Sequence, residues 1–460
     1  MGLPVHSSSI FAKQALLPDG WRKNVRLEFD ANGCFTAVLP DSVPVAGSEH
    51  VDVLMPPLPS LHSHAFQRAM AGLTEKRLDP ADSFWTWRDQ MYRLAARVDP
   101  EALQAISAQL YMEMLKSGFT QVAEFHYLHH APDGTQYENP AEMSQSVVEG
   151  ALQAGIGMTI LPTLYCHAGF GQKLAEGQKR FGSTPEFIAQ VISNIGSKYS
   201  GNLLVTAGMA IHSLRAASGD DIHKMLALVS DKVPVHIHIA EQVREVEDCL
   251  SALGRRPVQW LLDEFPVDHR WCLVHATHLD DRETVRLARS GAVAGLCPIT
   301  EANLGDGIFP LSKYIDEGGK FGIGTDSNVL LSAMEELRTL EYGQRLFSRK
   351  RCRSLPSEAT GSVGDWLYQQ ALHGGSQACA HGGGRLAVGQ RADALSIRRQ
   401  DLSFPDLEIM DMLDSLIFAC PSLPVHHVLC AGKWVIRDGR HIHEAAISRA
   451  YQKAITTLRS

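Results

Sequence analysis

A chain of 460 residues in which 45% are hydrophobic can bury a large core. The net charge is −8 and no run of lysine or arginine is present, so nucleic acid is not expected as a partner. The N-terminal MGLPVHSSSI has neither a basic nor an apolar segment, and no apolar stretch has the length of a membrane span. We therefore expect a cytoplasmic protein that is not exported and does not bind a membrane.

The nine cysteines are widely scattered and form no Cys-x-x-Cys motif. A disulfide framework or a structural zinc cluster would show an even number of cysteines or close pairs. We interpret the cysteines as reduced thiols, several of which fill the core.

Residues 1–55 contain short polar strand patterns separated by turn signals, Pro-Asp-Gly at 18–20 and Asn-Gly at 32–33. Beyond residue 385, GRLAVGQRADALSI and HHVLCAGKWVIRDGRH again predict short strands with glycine turns. We expect residues 1–55 and 385–460 to form one small β-sandwich-like domain that ends in a helix.

Between these terminal segments, eight apolar runs alternate with amphipathic helical patterns. One predicted helix, PEALQAISAQLYMEMLKSG, ends at a C-capping Gly118. Eight βα units predict an α/β protein with a (β/α)8 barrel over residues 56–384, whose chemistry lies at the C-terminal ends of the strands. The runs are LMPPLPSLHSH, TQVAEFHYLH, GMTILPTLY, LLVTAGMAIHSLR, VPVHIHIAE, WCLVHATHL, AVAGLCPIT and KFGIGTDSN.

Histidine and acidic residues stand at the ends of four predicted strands, where a barrel active site is expected. They are His62 and His64 after the first run, His238 and Glu241 after the fifth, His275 in the sixth and Asp326 after the eighth. On a strand, the spacing of His62 and His64 puts both imidazoles on one face. Together these positions offer a metal ion three imidazoles and one carboxylate, which suits zinc or a similar ion and leaves a position for water.

Each of these residues alone has a plainer interpretation. The chain contains three H-x-H pairs, at 62/64, 236/238 and 441/443, and we interpret the last as surface. A single histidine at a strand end is more often structural, and Asp326 could cap the helix of SAMEELRTLEY. The coincidence at four strand ends favours the metal site.

This arrangement of motifs resembles the amidohydrolase superfamily. Its H-x-x-E motif is similar to the cytosine, guanine and adenosine deaminase-like branch, which uses one metal. The fourth run ends in Met-Ala-Ile-His and has no lysine of the kind that dinuclear members carry. The resemblance therefore implies one divalent ion, zinc or alternatively iron or manganese, held by His62, His64, His238 and Asp326.

Further motifs resemble the formimidoylglutamate deiminases of histidine degradation. Ile299 departs from that pattern, since a small hydroxyl residue is expected there, and Asn328 stands at a position that varies in related enzymes. Both are expected to tune the fit of the substrate. The motifs are LHSHAFQRAMAGL (61–73), FWTWRDQMY (84–92), AEFHYLHH (123–130), AGFG (168–171), EGQKRF (176–181), GMAIHSLRA (208–216), LCPITEANLGDGIFP (296–310) and GIGTDSN (322–328).

The resemblance implies hydrolytic deimination of N-formimidoyl-L-glutamate. The ion would lower the pKa of a water towards about 7, and Asp326 or His275 would accept its proton. Glu241 would then protonate the departing nitrogen, which leaves as ammonia. Because this small-molecule amidine carries two carboxylates, the pocket needs cations. By resemblance the substrate pocket is lined by Gln67, Arg88, Tyr127, His212 and Arg215.

Several alternatives remain open. Arg88 could instead stack on Trp85 or Trp87, and Arg215 could form an ordinary salt bridge. The protein could be a related deaminase that acts on a nucleobase or nucleoside, with aromatic residues for stacking in its pocket. It could also be a catalytically silent relative, although none of the expected ligands is missing. The family also implies a homodimer.

Overall fold

The computed structural model describes residues 8–76, 83–402, 404 and 406–459. Most of the N-terminal stretch on which the expectation about export rests lies outside these ranges. Within the described residues, no helix combines the length and apolar character that crossing a membrane requires.

The secondary structure alternates strands and helices through the middle of the chain. The strands are β1 Ser8–Leu17, β2 Gly20–Phe29, β3 Phe35–Leu39, β4 Glu49–Met55, β5 Leu58–Ser63, β6 Phe119–His126, β7 Gly157–Leu164, β8 Val205–Ala207, β9 Met209–Ile211, β10 Val235–Ile239, β11 Trp271–His275, β12 Val293–Leu296, β13 Lys320–Ile323, β14 Ala394–Ile397, β15 Val425–Cys430, β16 Lys433–Arg437 and β17 Arg440–His441. The α-helices are α1 Phe84–Ala95, α2 Pro100–Lys116, α3 Glu142–Ala154, α4 Pro185–Lys198, α5 Gly219–Leu228, α6 Val243–Leu253, α7 Pro257–Glu264, α8 Asp281–Arg289, α9 Pro298–Leu304, α10 Leu311–Asp316, α11 Ala333–Ser348, α12 Val363–Cys379, α13 Met412–Phe418 and α14 Glu444–Arg459. Short 3₁₀ helices cover Ala65–Met70, Glu176–Phe181, Arg399–Asp401 and Ile409–Asp411.

The eight predicted apolar runs form a parallel barrel, which confirms the fold class. Its strand order is β5-β6-β7-β9-β10-β11-β12-β13, and β8 pairs with β7 beside β9. The barrel closes where the amide N–H groups of Thr325 and Asp326 donate to the carbonyl of His62 at 2.9 and 3.0 Å. The N–H of His64 donates in turn to the carbonyl of Asp326 at 3.0 Å. This seam joins the first and last strands next to the predicted metal ligands.

Local sequence signals set the bounds of the barrel helices. Helix α2 begins after Asp99, whose carboxylate accepts the N–H of Ala102 at 2.8 Å, and Pro100 occupies its first position. The helix ends at Lys116, and Gly118 follows with a φ of +99°, a conformation that favours glycine. The predicted helix and its glycine stop are thus confirmed.

The terminal segments form one continuous sheet of eight strands, ordered β17-β16-β15-β14-β4-β1-β2-β3. The antiparallel pair β4–β14 joins the N-terminal half to the C-terminal half. Leu54 packs into a separate apolar cluster of this sheet, whereas Val53 and Met55 pack into the large core shared with the barrel. The expected small β domain built from both termini is confirmed, and the chain ends in α14.

The interpretation of the 441/443 pair as surface is wrong for His441. Its side chain is buried, and its Nε2 lies 2.8 Å from the carbonyl of Ala154. This histidine joins the terminal sheet to α3 of the barrel.

Candidate active site

The six polar residues singled out at strand ends lie together at the C-terminal mouth of the barrel. The backbone there departs from regular strand geometry, because Ala240, His275 and Asp326 all have positive φ values of 51°, 66° and 45°. Non-glycine residues in this conformation are uncommon and concentrate at functional sites. The strand ends therefore turn sharply where side chains must point into the mouth.

His62, His64, His238 and Asp326 place four ligand atoms within 4.8 Å of one another. Nε2 of His238 lies 3.0 Å from Nε2 of His62 and 3.3 Å from Nε2 of His64. Oδ1 of Asp326 lies 3.3 Å from Nε2 of both His62 and His64. All four side chains are buried.

The opposite ring nitrogens show which atoms are free to bind a metal. Nδ1 of His64 donates to the carbonyl of Phe125 at 2.8 Å, and Nδ1 of His238 donates to the carbonyl of His212 at 3.0 Å. Two Nε2 lone pairs therefore face each other, an arrangement that a cation would stabilise. Burial lowers the pKa of His64 to about 3, so its imidazole is neutral, as metal ligation requires. The residues fit one borderline divalent ion.

His275 and Glu241 lie next to this cluster. Nε2 of His275 is 3.8 Å from Oε1 of Glu241 and 3.8 Å from Oδ2 of Asp326. Burial raises the pKa of Glu241 to about 7, which suits a group that both takes up and releases a proton near neutral pH. Burial alone would lower the pKa of His275, but the nearby carboxylates, Glu241 foremost, raise it well above its ordinary value. A cation held by Asp326 would oppose the effect of these carboxylates and favour the neutral imidazole that a proton acceptor requires.

Sequence reasoning missed Glu301, which contacts His275 directly. Nδ1 of His275 lies 3.2 Å from Oε1 of Glu301, and both side chains are buried. Glu301 lies two residues after Ile299 within the motif LCPITEANLGDGIFP, so the motif already covered this residue. A glutamate at that position gives no indication from sequence of the residue that it contacts.

Arg88 and Arg215 line the same cavity as the histidines and Glu241. Both Nε atoms are buried without a hydrogen-bond partner, and across the described residues neither guanidinium forms an ion pair. The predicted alternative of a salt bridge for Arg215 is therefore not found. Arg88 stacks on Trp85 with its guanidinium carbon 4.5 Å from the ring centre, so it both packs on an aromatic ring and faces the cavity.

The remaining predicted substrate residues also line the cavity. Nε2 of Gln67 donates to the hydroxyl of Tyr127 at 3.0 Å, and the ring of Tyr127 lies 5.5 Å from that of His212. The walls include further residues that the sequence did not single out individually. These are Phe84, Trp87, Met91, Tyr92, Tyr165, Phe181 and Leu304.

One face of α1 supplies much of this wall. Phe84, Trp87, Arg88, Met91 and Tyr92 follow helical spacing, and all five lie within the motif FWTWRDQMY. The periodicity of that motif could have identified the whole face from the sequence.

The expected role of Ile299 and Asn328 in substrate fit receives no support from their positions, since neither lines the cavity in the described part of the chain. The side-chain amide of Asn328 instead donates to the carbonyls of His64 and Asp326 at 3.1 and 2.9 Å. It therefore reinforces the barrel seam. The N–H of Ile299 donates to Oε2 of the buried Glu336 at 2.9 Å.

Two protein families match the sequence over almost all of its length. Residues 53–435 match the Amidohydrolase family, and residues 7–52 match the family described as "Formimidoylglutamate deiminase HutF, N-terminal domain". The boundary between the two matches lies within β4, the strand that links the terminal sheet to the barrel.

Individual relatives give the same picture. The chain is 50% identical to formimidoylglutamate deiminase of Pseudomonas aeruginosa, over 98% of this chain and 99% of that protein. It is 27% identical to 8-oxoguanine deaminase of the same organism, over 84% of this chain and 83% of the relative. Among solved structures, an amidohydrolase from Brucella melitensis is 45% identical and superposes with a TM-score of 0.93, covering 98% of this chain and 100% of that one.

Proposed function

Since the chain belongs to the amidohydrolase family and hydrolyses N-formimidoyl-L-glutamate to N-formyl-L-glutamate and ammonia in histidine degradation, we propose a role for each residue of its cavity. The observation that carries the proposal is a pair of arginines that form no ion pair within the described residues and that line one cavity together with a cluster of metal-ligating residues. A substrate with two carboxylates at one end and an amidine at the other matches both features.

We assign His62, His64, His238 and Asp326 as the ligands of one divalent ion. Three imidazoles and a carboxylate suit zinc, with iron and manganese as the alternatives. When bound, such an ion lowers the pKa of a water so that hydroxide is available near neutral pH.

The protein residues move two protons in this scheme. Nε2 of His275, assisted by the carboxylate of Asp326, takes a proton from the attacking water. Glu241 delivers protons to the terminal nitrogen of the amidine, the last one as the bond to carbon breaks. The proton taken by His275 and the hydroxyl proton lost as the new carbonyl forms pass to Glu241, so that both residues return to their starting states, one water is consumed and one ammonia is released. The pKa of about 7 for Glu241 allows the carboxyl group to give up and regain a proton in each cycle.

Arg88 and Arg215 bind the carboxylates of the glutamate portion. An arginine can hold a carboxylate with two parallel hydrogen bonds, which fixes its orientation as well as its charge. Gln67, Tyr127 and His212 line the same cavity as the arginines and the metal ligands, and we assign them to contact the chain of the substrate. These five residues thus set the distance between the carboxylates and the reacting carbon.

We divide the chain into a barrel of residues 56–384 and a small domain of residues 1–55 and 385–460, in keeping with the two separate sheets. We also propose that the protein works in the cytoplasm, since none of its nine cysteines forms a disulfide. A homodimer is supported by large apolar side chains on the outer face of α11, where Leu346 is 79% exposed and Phe347 is 76% exposed.

Ammonia release by the purified, metal-loaded enzyme tests the assignment. We expect turnover of N-formimidoyl-L-glutamate and none of guanine or adenosine at the same concentration. Faster turnover of guanine or adenosine would favour the alternative of a nucleobase or nucleoside deaminase, and would remove the basis for the role of the two arginines.

A further inference from the structure

Glu301 is a buried carboxylate outside the cavity that contacts one of the proposed proton-transfer groups. It lies on α9, directly after β12, and 6% of its surface is exposed. It is absent from the residues that line the cavity. Its place next to the site therefore calls for an explanation other than substrate binding.

Two hydrogen bonds to the backbone of Cys297 fix the position of Glu301, whose carboxylate also contacts His275. Its Oε1 accepts the backbone N–H of Cys297 at 2.9 Å and faces Nδ1 of His275 at 3.2 Å. The N–H of Glu301 donates to the carbonyl of Cys297 at 2.8 Å, so backbone and side chain are both tied to the first turn of α9. The carboxylate is held by a rigid element before it meets the histidine.

The contact determines how the imidazole of His275 is presented. A carboxylate oxygen only accepts hydrogen bonds, so the proton of the ring stands on Nδ1 and points to Glu301. Nε2 is then directed at Glu241 and Asp326. The opposite tautomer would place a lone pair of the ring against the carboxylate and would leave Nε2 unable to accept a proton.

The backbone conformation at His275 is a second reason why the contact with Glu301 matters. His275 and Ala276 have φ values of +66° and +47°, a conformation that non-glycine residues rarely adopt. The contact with Glu301 fixes the ring at the point where β11 ends and the backbone leaves strand geometry.

We propose that Glu301 is a positioning residue for the deimination reaction, which holds the ring and the Nδ1 proton of His275 so that Nε2 faces the reacting water. The proposal rests on the proposed role of His275 as proton acceptor. Partners of this kind orient active-site histidines, and their loss typically costs about 10- to 100-fold in activity.

Two substitutions separate the bond from the bulk of the side chain. Glu301→Gln keeps an oxygen that can accept from both N–H groups, whereas Glu301→Leu removes the acceptor and keeps much of the volume. We expect kcat to fall by less than about tenfold for the first and by about 100-fold for the second. KM should change by less than about threefold for both, because Glu301 does not line the cavity.

Glu336 provides a matched control. It is fully buried, and its Oε2 accepts the N–H of Ile299, two residues before Glu301, but it has no contact with His275. Glu336→Gln and Glu336→Leu disturb the same segment, and we expect kcat per folded enzyme to stay within about threefold of the wild type.

A double-mutant cycle with His275→Gln is the decisive measurement. If Glu301 acts through His275, the 100-fold loss from Glu301→Leu should disappear when His275 is already replaced. Full, additive loss in that background would overturn the proposal, as would a Glu301→Leu enzyme with native kcat. If Glu301→Leu does not fold, the smaller loss from Glu301→Gln must disappear in the same background, and its persistence would overturn the proposal equally.

Metal analysis tests the alternative that Glu301 belongs to a metal site, and the His275→Gln variant tests the role of His275 on which the proposal rests. His275, Cys297 and Glu301 could also be read as a second metal site, since their ligand atoms lie within 4.8 Å of one another. Two ions per chain in the wild type and one in Glu301→Gln would overturn the positioning role. Native kcat for His275→Gln would instead remove the proposed role of His275 itself, whereas a strong loss for His275→Gln with additive effects of Glu301→Leu would count against Glu301 alone.

Discussion

Two groups of residues in the cavity are held in different ways. We call His62, His64, His238 and Asp326 the metal end, and Arg88 and Arg215 the arginine end. At the metal end, His64 and His238 are each fixed by a hydrogen bond from Nδ1 to a backbone carbonyl, and the free nitrogens converge. At the other end, Arg88 and Arg215 carry guanidinium groups whose Nε atoms are buried without a hydrogen-bond partner. The metal-ligating rings are thus already oriented by the protein, whereas the two guanidinium groups form no ion pair within the described residues.

This difference indicates which property each end controls. A preorganised set of ligands supplies chemistry that does not depend on the identity of the substrate, and related deaminases can share it. Partly buried guanidinium groups that form no ion pair lose some hydration free energy, and a carboxylate ligand offsets that cost. We therefore propose that the arginines determine specificity for a dicarboxylate and that the metal-ligating residues supply the catalytic power.

Removal of a metal ligand should have the largest effect. His238→Ala should lose its ion and lower kcat by more than the roughly 10²–10⁴-fold that loss of one proton-transfer group costs. Metal analysis and Tm report this independently of activity. Added zinc should raise the Tm of the stripped wild type by mass action and should leave that of His238→Ala unchanged. Two tightly bound ions per chain, or full activity without metal, would contradict the prediction.

Substitution of the proton carrier should have the next largest effect. Glu241→Gln preserves the shape of the side chain but cannot carry a proton, so kcat should fall by roughly 10²–10⁴-fold with the metal retained. Rapid-mix measurements of ammonia release and metal analysis of the same sample check both parts. A variant with near-native kcat would mean that another group protonates the departing nitrogen.

The metal-ligating residues could be predicted from the sequence, whereas the backbone groups that orient their rings could not. His62, His64, His238 and Asp326 were identified because each follows a recognisable strand, and strand ends of a barrel converge. The backbone carbonyls of Phe125 and His212 that orient the rings have no sequence signal, since every residue has a carbonyl group. Which carbonyl meets which histidine ring depends only on how neighbouring strands are aligned in the folded barrel.

The arginine end was predicted only by resemblance. Arg88 and Arg215 lie on a helix and in a loop that no spacing rule connects, so their meeting in one cavity follows from the barrel topology. His441 shows the opposite error, because a charged, turn-rich segment indicated surface although the terminal sheet packs on the barrel. In both cases long-range packing decided the environment of the residue.

Substitution of an arginine should distinguish the two ends by the choice of substrate. Arg215→Met or Arg88→Met should cost about 2–5 kcal/mol in kcat/KM for formimidoylglutamate, since a buried carboxylate loses its partner. For a formimidoyl derivative of a simple amine, which lacks the carboxylates, the loss should largely disappear. Equal losses on both substrates would show a distorted pocket instead of a lost ion pair.

Arg244 offers the matched control for Arg88. Both guanidiniums stack on Trp85, at 4.5 Å for Arg88 and 4.8 Å for Arg244, but Arg244 does not line the cavity. Arg244→Met should therefore change kcat/KM for formimidoylglutamate by less than about 0.5 kcal/mol, as for other surface substitutions. If Arg244→Met lowered kcat/KM as much as Arg88→Met, the loss in both variants would come from disturbed packing on Trp85.

A smaller effect than that of either cavity arginine is expected for Tyr127, whose hydroxyl accepts a hydrogen bond from Gln67 at 3.0 Å. Tyr127→Phe keeps the ring, which packs 5.1 Å from His64, and removes that bond together with a weak hydrogen bond from the hydroxyl to Sδ of Met91 at 3.9 Å. A neutral hydrogen bond contributes about 0.5–1.5 kcal/mol, so kcat/KM should fall by no more than that amount. If the pair only positions the substrate, the loss should appear mainly in KM, and Gln67→Leu combined with Tyr127→Phe should cost little more than either change alone. A loss confined to kcat, with metal retained, would move Tyr127 to the catalytic end of the cavity, and the sharp division between the two ends would then fail at this residue.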